Sequence, residues 1–202
     1  IALGKSQEVF TARGHFLFAG LKREKKFSVK KGLEETLAEA TDGELKIADH
    51  PYAKLKGQNG IMATSEKPEE DAKKVDAFER NGNFHLPYSI ANWLAIKFSR
   101  KYNKPLIADS DGHHPRDIGR TYNIFRKENL KYTSEREFRD SITNAVRTNK
   151  FEYHYRATPI WRVFHHGLMI YINKIFKRFF IQRTINFIKF YETIFNSKPC
   201  FH

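Results

Sequence analysis

LIADSDGHHPRDIGRTYNIF, residues Leu106–Phe125, begins with a short apolar run that stops in Ser-Asp-Gly-His-His-Pro. A short apolar run followed by turn residues predicts a buried strand. Asp111 and His113 come just after this strand, which places a carboxylate and an imidazole side by side at its end. Both groups are common ligands of divalent metal ions. The stretch therefore predicts an α/β fold with a metal-binding pair at the carboxyl end of one strand.

Strand and helix patterns alternate along the rest of the chain. Strands are predicted at 16–21, 45–52, 75–81, 104–114 and 121–128, and helices at 28–44, 89–102 and 134–149. Ser28 and Ser134 stand at N-cap positions, and Glu137 completes a capping box with Ser134. One side of the helix at 89–102 carries Ile90, Trp93, Leu94 and Phe98. This alternation predicts a mostly parallel sheet or barrel, with the active site at the carboxyl ends of the strands.

Composition indicates a basic globular protein. The chain has 202 residues and a net charge of +13, which favours anionic partners such as phosphorylated substrates, nucleic acid or acidic lipid. Its one cysteine, Cys200, excludes a disulfide framework and indicates a reducing compartment. Ile1–Gly20 carries charges throughout, so we expect no signal peptide and a cytoplasmic location. Because the sequence does not begin with Met, we also expect its true N terminus to lie upstream.

Four motifs follow one another between Gly4 and Phe125. They are GKSQEVFTARGHFLFAGL, ADHPY, VDAFERNG and ADSDGHHPRDIGRTYNIF. Together they resemble the later motifs of the polymerase and histidinol phosphatase (PHP) family, and the last of them is the most specific. Members of that family are metal-dependent phosphoesterases with a distorted (β/α)7 TIM-like barrel. The resemblance therefore implies this barrel and the hydrolysis of phosphate esters, of phosphatase or nuclease type.

The resemblance also implies a set of site residues. The metal ligands would be Glu8, His15, His50, Asp111 and His113, and all of these except His15 would be catalytic. Glu79 and Asn81 match a recurrent pair at a strand end, either as ligands or as residues that orient ligands. Arg116, Arg120 and His114 lie just beyond the metal pair and could bind the substrate phosphate. The alternatives are that the two arginines pair with surface acids and that His114 is simply exposed.

One family motif is absent from this sequence. An early His-x-His should precede Glu8, and none does. Either the first strands lie outside this sequence or the chain is a degenerate homologue. Imidazole and carboxylate ligands together favour Zn²⁺, Mn²⁺ or Fe²⁺ over Mg²⁺, with two or three ions in the intact protein. Such ions would activate water for attack on a phosphorylated small molecule, a nucleotide or an oligonucleotide.

The last quarter of the chain differs in composition. We divide the sequence into a phosphoesterase domain at 1–150 and a basic, aromatic, helical tail at 151–202. The tail has eight Lys and Arg residues against two Asp and Glu residues, and its apolar residues recur at helical spacing from 161 to 179. It could pack on the barrel, lie on an anionic membrane or bind nucleic acid. The alternative function is therefore a non-catalytic PHP-fold module that binds a membrane or nucleic acid through this tail.

Overall fold

Five strands form one mixed sheet, and helices pack on both of its faces. The structure is a computed structural model that describes residues 5–21, 27, 31–40, 44–55, 58–83, 89–165, 167–169 and 171–176. Its elements are β1 (Lys5–Phe10), β2 (His15–Leu21), α1 (Leu33–Ala38), β3 (Leu45–Ala48), β4 (Lys54–Leu55), β5 (Gln58–Asn59), α2 (Pro68–Lys73), β6 (Ala77–Asn81), α3 (Ser89–Lys101), β7 (Leu106–Asp109), β8 (Tyr122–Phe125), α4 (Glu135–Arg147) and β9 (Phe151–His154). Ser28, the N-cap predicted for the first helix, lies outside the described residues.

The strand order of the sheet is β1-β2-β3-β6-β7. β1 pairs antiparallel with β2 and β2 with β3, whereas β3, β6 and β7 are parallel. The predicted (β/α)7 barrel is therefore wrong: in the part of the chain that the structure describes, the sheet is open, with β1 and β7 at its edges. The sequence of β1, KSQEVF, is mostly polar, and no strand was predicted before residue 16. This hairpin replaces the parallel repeat that a barrel needs.

The apolar core lies on both faces of the sheet. Phe16 and Phe18 of β2 belong to one buried cluster, together with side chains of α1. Leu17 and Ala19, the alternate residues of the same strand, pack against a second cluster that includes Val146 of α4. This alternation follows from the pleat of a strand, in which successive side chains point to opposite faces. Because both faces are covered, polar side chains meet at the ends of the strands.

The N-terminal cap of α4 agrees with the sequence prediction, whereas the buried face of α3 differs from it in part. The hydroxyl of Ser134 accepts a hydrogen bond from the Glu137 amide at 3.2 Å, which confirms the predicted cap of α4. In α3, however, Ile90 and Trp93 are 57% and 58% exposed. The buried residues of α3 are Ala91, Asn92, Ala95 and Ser99. Small side chains thus face the sheet. Of the predicted apolar stripe, Leu94 and Phe98 are half-buried and Phe98 packs against the core, whereas Ile90 and Trp93 lie outside the buried face.

The outer edge of β7 is covered by a side chain. Asn123 of β8 accepts a hydrogen bond from the Ala108 amide and donates one to the Ala108 carbonyl oxygen, both at 3.0 Å. β8 itself pairs antiparallel with β9, with Tyr122 opposite His154. The side-chain amide of Asn123 therefore satisfies backbone groups of the edge strand that no neighbouring strand reaches.

The chain divides into two compact units, Ile1–Thr158 and Pro159–His202. The sheet and α1 to α4 belong to the first unit, which includes β9. In the second unit, residues 160–165, 167–169 and 171–176 are helical. Within the described residues, no helix combines the length and the apolar character that a membrane span requires.

Candidate metal centre

The topology of the sheet brings separate parts of the chain together at one end of the strands. β2 runs antiparallel to β3, so its first residue, His15, lies beside the residues that follow β3. Those residues are Asp49 and His50. Glu8 reaches the same place from β1, which pairs with β2. One ligand atom of each of these four residues, here called the four-residue cluster, lies within 4.8 Å of the others.

The two imidazole rings form the centre of the four-residue cluster. Nδ1 of His15 lies 2.5 Å from Oε1 of Glu8 and 3.1 Å from Nε2 of His50. The same His50 nitrogen lies 3.5 Å from Oδ2 of Asp49 and 4.0 Å from Oε1 of Glu8. Three of the four residues are buried, whereas the side chain of Glu8 is 44% exposed. The cluster is therefore reached from solvent on the Glu8 side.

A hydrogen-bond network connects the cluster to the other predicted site residues. The backbone amide of His50 donates to the carboxylate of Glu79. The side-chain amide of Asn81 donates to Oε1 of Glu79 at 3.4 Å and to Oδ2 of Asp111 at 2.9 Å. Nε2 of His113 lies 3.3 Å from Oδ1 of Asp111. Asp111 and His113 are thus joined to the four-residue cluster through β6 and are not members of it.

Burial and mutual repulsion perturb the acids of this network. Burial raises the pKa of Asp49 to about 7, and the charge of Glu8 adds to this effect. Burial also raises the pKa of Glu79 well above its ordinary value, assisted by the charge of Asp49. In contrast, the hydrogen bond from His15 lowers the pKa of Glu8 to about 2. Burial lowers the pKa of His50. Buried acids that repel each other at such a site are stabilised in their ionised form by a cation.

The backbone around the site is constrained. His50 and Asp111 have φ angles of 28° and 43°, in the left-handed region that residues with a Cβ seldom adopt. Residues held in this region often belong to functional sites, because the surrounding structure must compensate for the strain. Gly60 lies against the His50 turn, and a Cβ there would overlap the carbonyl oxygen of His50 and the backbone of Pro51. The orientation of His50 therefore depends on close backbone packing.

The three predicted phosphate-binding residues lie in the loop after β7. A terminal nitrogen of Arg120 donates to the carbonyl oxygen of Ala157 at 2.9 Å, so this arginine anchors the segment after β9. Nδ1 of His114 accepts a hydrogen bond from the Arg116 amide at 3.1 Å and caps the short 3-10 helix Pro115–Asp117. Both His114 and Arg116 are exposed. The contacts described for Arg120 and His114 are thus structural ones.

Two acids at the site, the buried Asp49 and the half-buried Asp109, were not among the predicted site residues. Asp49 precedes His50, and Asp109 is the last residue of β7. A carboxylate oxygen of Asp109 accepts a hydrogen bond from the Asp111 amide at 2.8 Å, and burial raises the pKa of Asp109. Both acids follow an alanine at the end of an apolar run. This shared Ala-Asp pattern at the ends of two parallel strands, β3 and β7, which flank β6, is the signal that identifies them.

The donor set of the four-residue cluster fits a divalent metal ion. Imidazole nitrogens and carboxylate oxygens are the ligands of many protein sites for transition metals. Here two of each converge, and buried acids next to them gain from a nearby positive charge. Glu8, His15, Asp49 and His50 could therefore hold a metal ion.

Comparisons with known proteins agree with part of this interpretation. Residues 89–147, from the start of α3 to the end of α4, match a family model described as PHP-associated. The crystal structure of PsfC from Pseudomonas syringae PB-5123 is similar, with a TM-score of 0.55 and 15% sequence identity over 84% of this chain. This chain spans 65% of the length of PsfC, and at this identity the likeness shows a shared fold. No curated protein matches the sequence. The match at residues 89–147 supports an association of this chain with the PHP family.

Proposed function

We propose that this chain hydrolyses phosphate esters with a divalent transition metal, Zn²⁺, Mn²⁺ or Fe²⁺, bound at the four-residue cluster. The observation that carries the proposal is the convergence of two imidazoles and two carboxylates at one end of the strands. The PHP-associated match supports it, because PHP proteins are the phosphoesterases that the motifs resemble. Substrates of this class include phosphorylated small molecules, nucleotides and oligonucleotides.

Each part of the site has a role in this proposal. Glu8, His15, Asp49 and His50 would hold one ion, and Asp111 with His113 would serve a further one. When bound, such an ion polarises a phosphoryl oxygen and increases the acidity of a water molecule. Glu79 accepts the amide hydrogen of His50 and so fixes the turn that carries this imidazole. His113, whose side chain is partly exposed, can contact a substrate that enters from solvent.

Metal analysis of the purified chain tests this proposal. We expect near-stoichiometric Zn, Mn or Fe in the wild-type protein, and its loss in His15→Ala and His50→Ala because each variant lacks an imidazole of the cluster. His154→Ala is the matched control, since His154 is an exposed histidine on β9 that stacks on Tyr122. Hydrolysis of p-nitrophenyl phosphate, bis-p-nitrophenyl phosphate and nucleotides should follow the metal content across these variants.

The same experiment can contradict the proposal in two ways. Wild-type protein that binds no added Zn²⁺, Mn²⁺ or Fe²⁺ would exclude the metal centre. Stoichiometric metal without hydrolysis of any of these esters would retain the centre but exclude the phosphoesterase activity, at least for these substrate types.

A second candidate function rests on the helix of the second unit. Five of its side chains, Trp161, Phe164, Leu168, Tyr171 and Ile175, recur at spacings of three and four residues, and all are exposed. The described helical residues contain Arg162 and Lys174 and no acid. We infer that this helix binds the surface of an anionic membrane, where aromatic and aliphatic side chains enter the interface and basic ones meet the headgroups.

Tryptophan fluorescence tests this second candidate. In a Trp93→Phe background, the emission reports Trp161, since the chain has only these two tryptophans. We expect a blue shift with vesicles of phosphatidylcholine and phosphatidylserine, and none with phosphatidylcholine alone. Phe164→Ser/Leu168→Ser should abolish the shift. Binding to single-stranded RNA without any response to anionic vesicles would contradict the membrane proposal in favour of nucleic acid.

A further inference from the structure

Two asparagine side chains bind the backbone of neighbouring strands in the same way. Asn92 of α3 accepts a hydrogen bond from the Asn81 amide at 2.9 Å and donates one to the Asn81 carbonyl oxygen at 2.8 Å. We call this arrangement the Asn92 amide pair. Asn123 forms the equivalent pair with Ala108 of β7. Each asparagine satisfies backbone groups that the ladder between β6 and β7 leaves open.

The two amide pairs differ in the residue whose backbone they hold. The side chain of Ala108 is a methyl group, which forms no hydrogen bonds. The side chain of Asn81, in contrast, donates hydrogen bonds to Glu79 and to Asp111. Asn81 is fully buried. A displacement of its backbone would therefore move the one amide group that links these two carboxylates.

The Asn92 amide pair is held in place by a third side chain. Nδ2 of Asn92 also contacts the hydroxyl oxygen of Tyr155 at 3.2 Å, and that hydroxyl donates to the Asn81 carbonyl oxygen at 3.2 Å. The guanidinium of Arg80 lies 3.7 Å above the Tyr155 ring. Asn92 itself is 8% exposed. The end of β6 is thus held by side chains of α3 and of the segment after β9, which meet at the Asn81 carbonyl oxygen.

We propose that Asn92 is a positioning residue of the metal centre: by fixing the Asn81 backbone, it orients the Asn81 side chain that holds Glu79 and Asp111. The inference rests on the proposed metal-dependent function. Glu79 in turn accepts the His50 amide hydrogen, so the effect of Asn92 extends to an imidazole of the four-residue cluster. Groups that hydrogen-bond a metal ligand directly contribute on the order of 10–100-fold to metal affinity. Asn92 acts one step further out, through Asn81, so we expect an effect at the lower end of this range.

Cobalt binding by the full chain tests this role. Co²⁺ is titrated into metal-free wild type, Asn92→Ala and Asn123→Ala while its visible absorption is recorded, and the melting temperatures are measured in parallel. Both variants lose a pair of hydrogen bonds to the backbone, and Asn92→Ala also loses the contact with Tyr155, so we expect a lower melting temperature in both and a larger decrease in Asn92→Ala. Only Asn92→Ala should bind Co²⁺ about tenfold or more weakly. It should also show an altered visible spectrum at saturation, which a loss of stability alone does not produce.

The outcomes separate the inference from the function on which it rests. Equal Co²⁺ affinities and identical spectra for the two variants would overturn the positioning role and leave the metal centre intact. Wild-type protein that binds no Co²⁺ would refute both. If Asn92→Ala does not fold, Tyr155→Phe takes its place, because it removes one hydroxyl from the same group. That variant should bind Co²⁺ severalfold more weakly than Asn123→Ala, and equal binding by these two would overturn the inference.

Discussion

Asp49 is a buried acid that belongs to the four-residue cluster and also lies beside Glu79 of β6. The groups facing it are three acids, Glu8, Glu79 and Asp111, and the rings of His15 and His50. Burial raises its pKa to about 7, whereas the ordinary value for the unfolded chain is 3.8. From roughly pH 4 to pH 7 the folded protein therefore retains a proton that the unfolded chain has released. The contribution of Asp49 to stability decreases as the pH rises through that window.

Asp49→Asn should accordingly stabilise the metal-free protein more at pH 8 than at pH 5. The amide keeps the shape of the side chain without the buried charge. The melting temperature of the variant minus that of the wild type should be more positive at pH 8 by at least roughly 2–4 °C, the shift that 1 kcal/mol produces in a domain of this size. His50 acts in the opposite direction, but it is present in both proteins. A difference that is constant with pH would show that Asp49 is not desolvated.

At the level of residues, the sequence identifies side chains that stand in motifs better than single acids at strand ends. Glu8, His15 and His50 stand in recognisable motifs, and the structure brings them into one cluster. Asp49 and Asp109 are single acids at the ends of short strands, and such acids are usually solvated or cap a turn. The burial of Asp49 and the partial burial of Asp109 depend on how β3 and β7 are arranged in the sheet, which no local pattern contains.

The turn after β3 is the element that determines where His50 points. Gly60 packs so closely against it that Gly60→Ala would force the His50 carbonyl to move. We expect a loss of about 1–3 kcal/mol in the free energy of unfolding, as for overpacked cores, together with weaker metal binding. Gly32→Ala is the matched control, because a Cβ at Gly32 meets no atom within 4 Å. Chemical denaturation and metal titration of both variants measure the effect. Unchanged metal affinity in a destabilised Gly60→Ala would show that this turn does not orient His50.

Among the elements, sequence patterns predict features that depend on residues close together in the chain, such as helix caps. The cap of α4 depends on two residues three positions apart, and the sequence predicts it correctly. The face of α3 that is buried depends instead on the space available at the sheet, which admits Ala91 and Ala95 but leaves Trp93 outside. Hydrophobic periodicity alone cannot predict that choice, since it assumes that the largest apolar side chains point inward.

The whole molecule joins an antiparallel hairpin to a parallel sheet, and the candidate metal centre lies across that junction. β1 and β2 supply Glu8 and His15, whereas the turn after β3 supplies Asp49 and His50. The motifs specify most of these residues without specifying the topology, and the barrel implied by the family resemblance was therefore wrong. Whether strands are parallel depends on contacts between distant segments, and β1 is too polar to be recognised as a strand.

Metal removal should therefore loosen the hairpin before the rest of the sheet. A ligand at 100 times its Kd stabilises the folded protein by about 2.7 kcal/mol. After chelation, we expect faster amide hydrogen exchange in β1 and at the start of β2, with little change in β6 and β7. Mass spectrometry of exchange with and without added Zn²⁺ measures this. A uniform increase across all five strands would show that the ion does not join the two parts of the sheet.

The side-chain amide of Asn123 also determines whether another strand can pair with the β7 edge of the sheet. An edge strand with free backbone groups is a template for strands of other molecules, which is a common route to aggregation. On β7, the outward-facing groups of Ala108 are already occupied by Asn123. Asn123→Ala would leave these two groups without their hydrogen-bond partner. At concentrations well above those of the cobalt titration, this variant should therefore form assemblies that light scattering detects and that the wild type does not form. Asn123, which serves as the control for the metal centre, would then be a residue that prevents association between molecules.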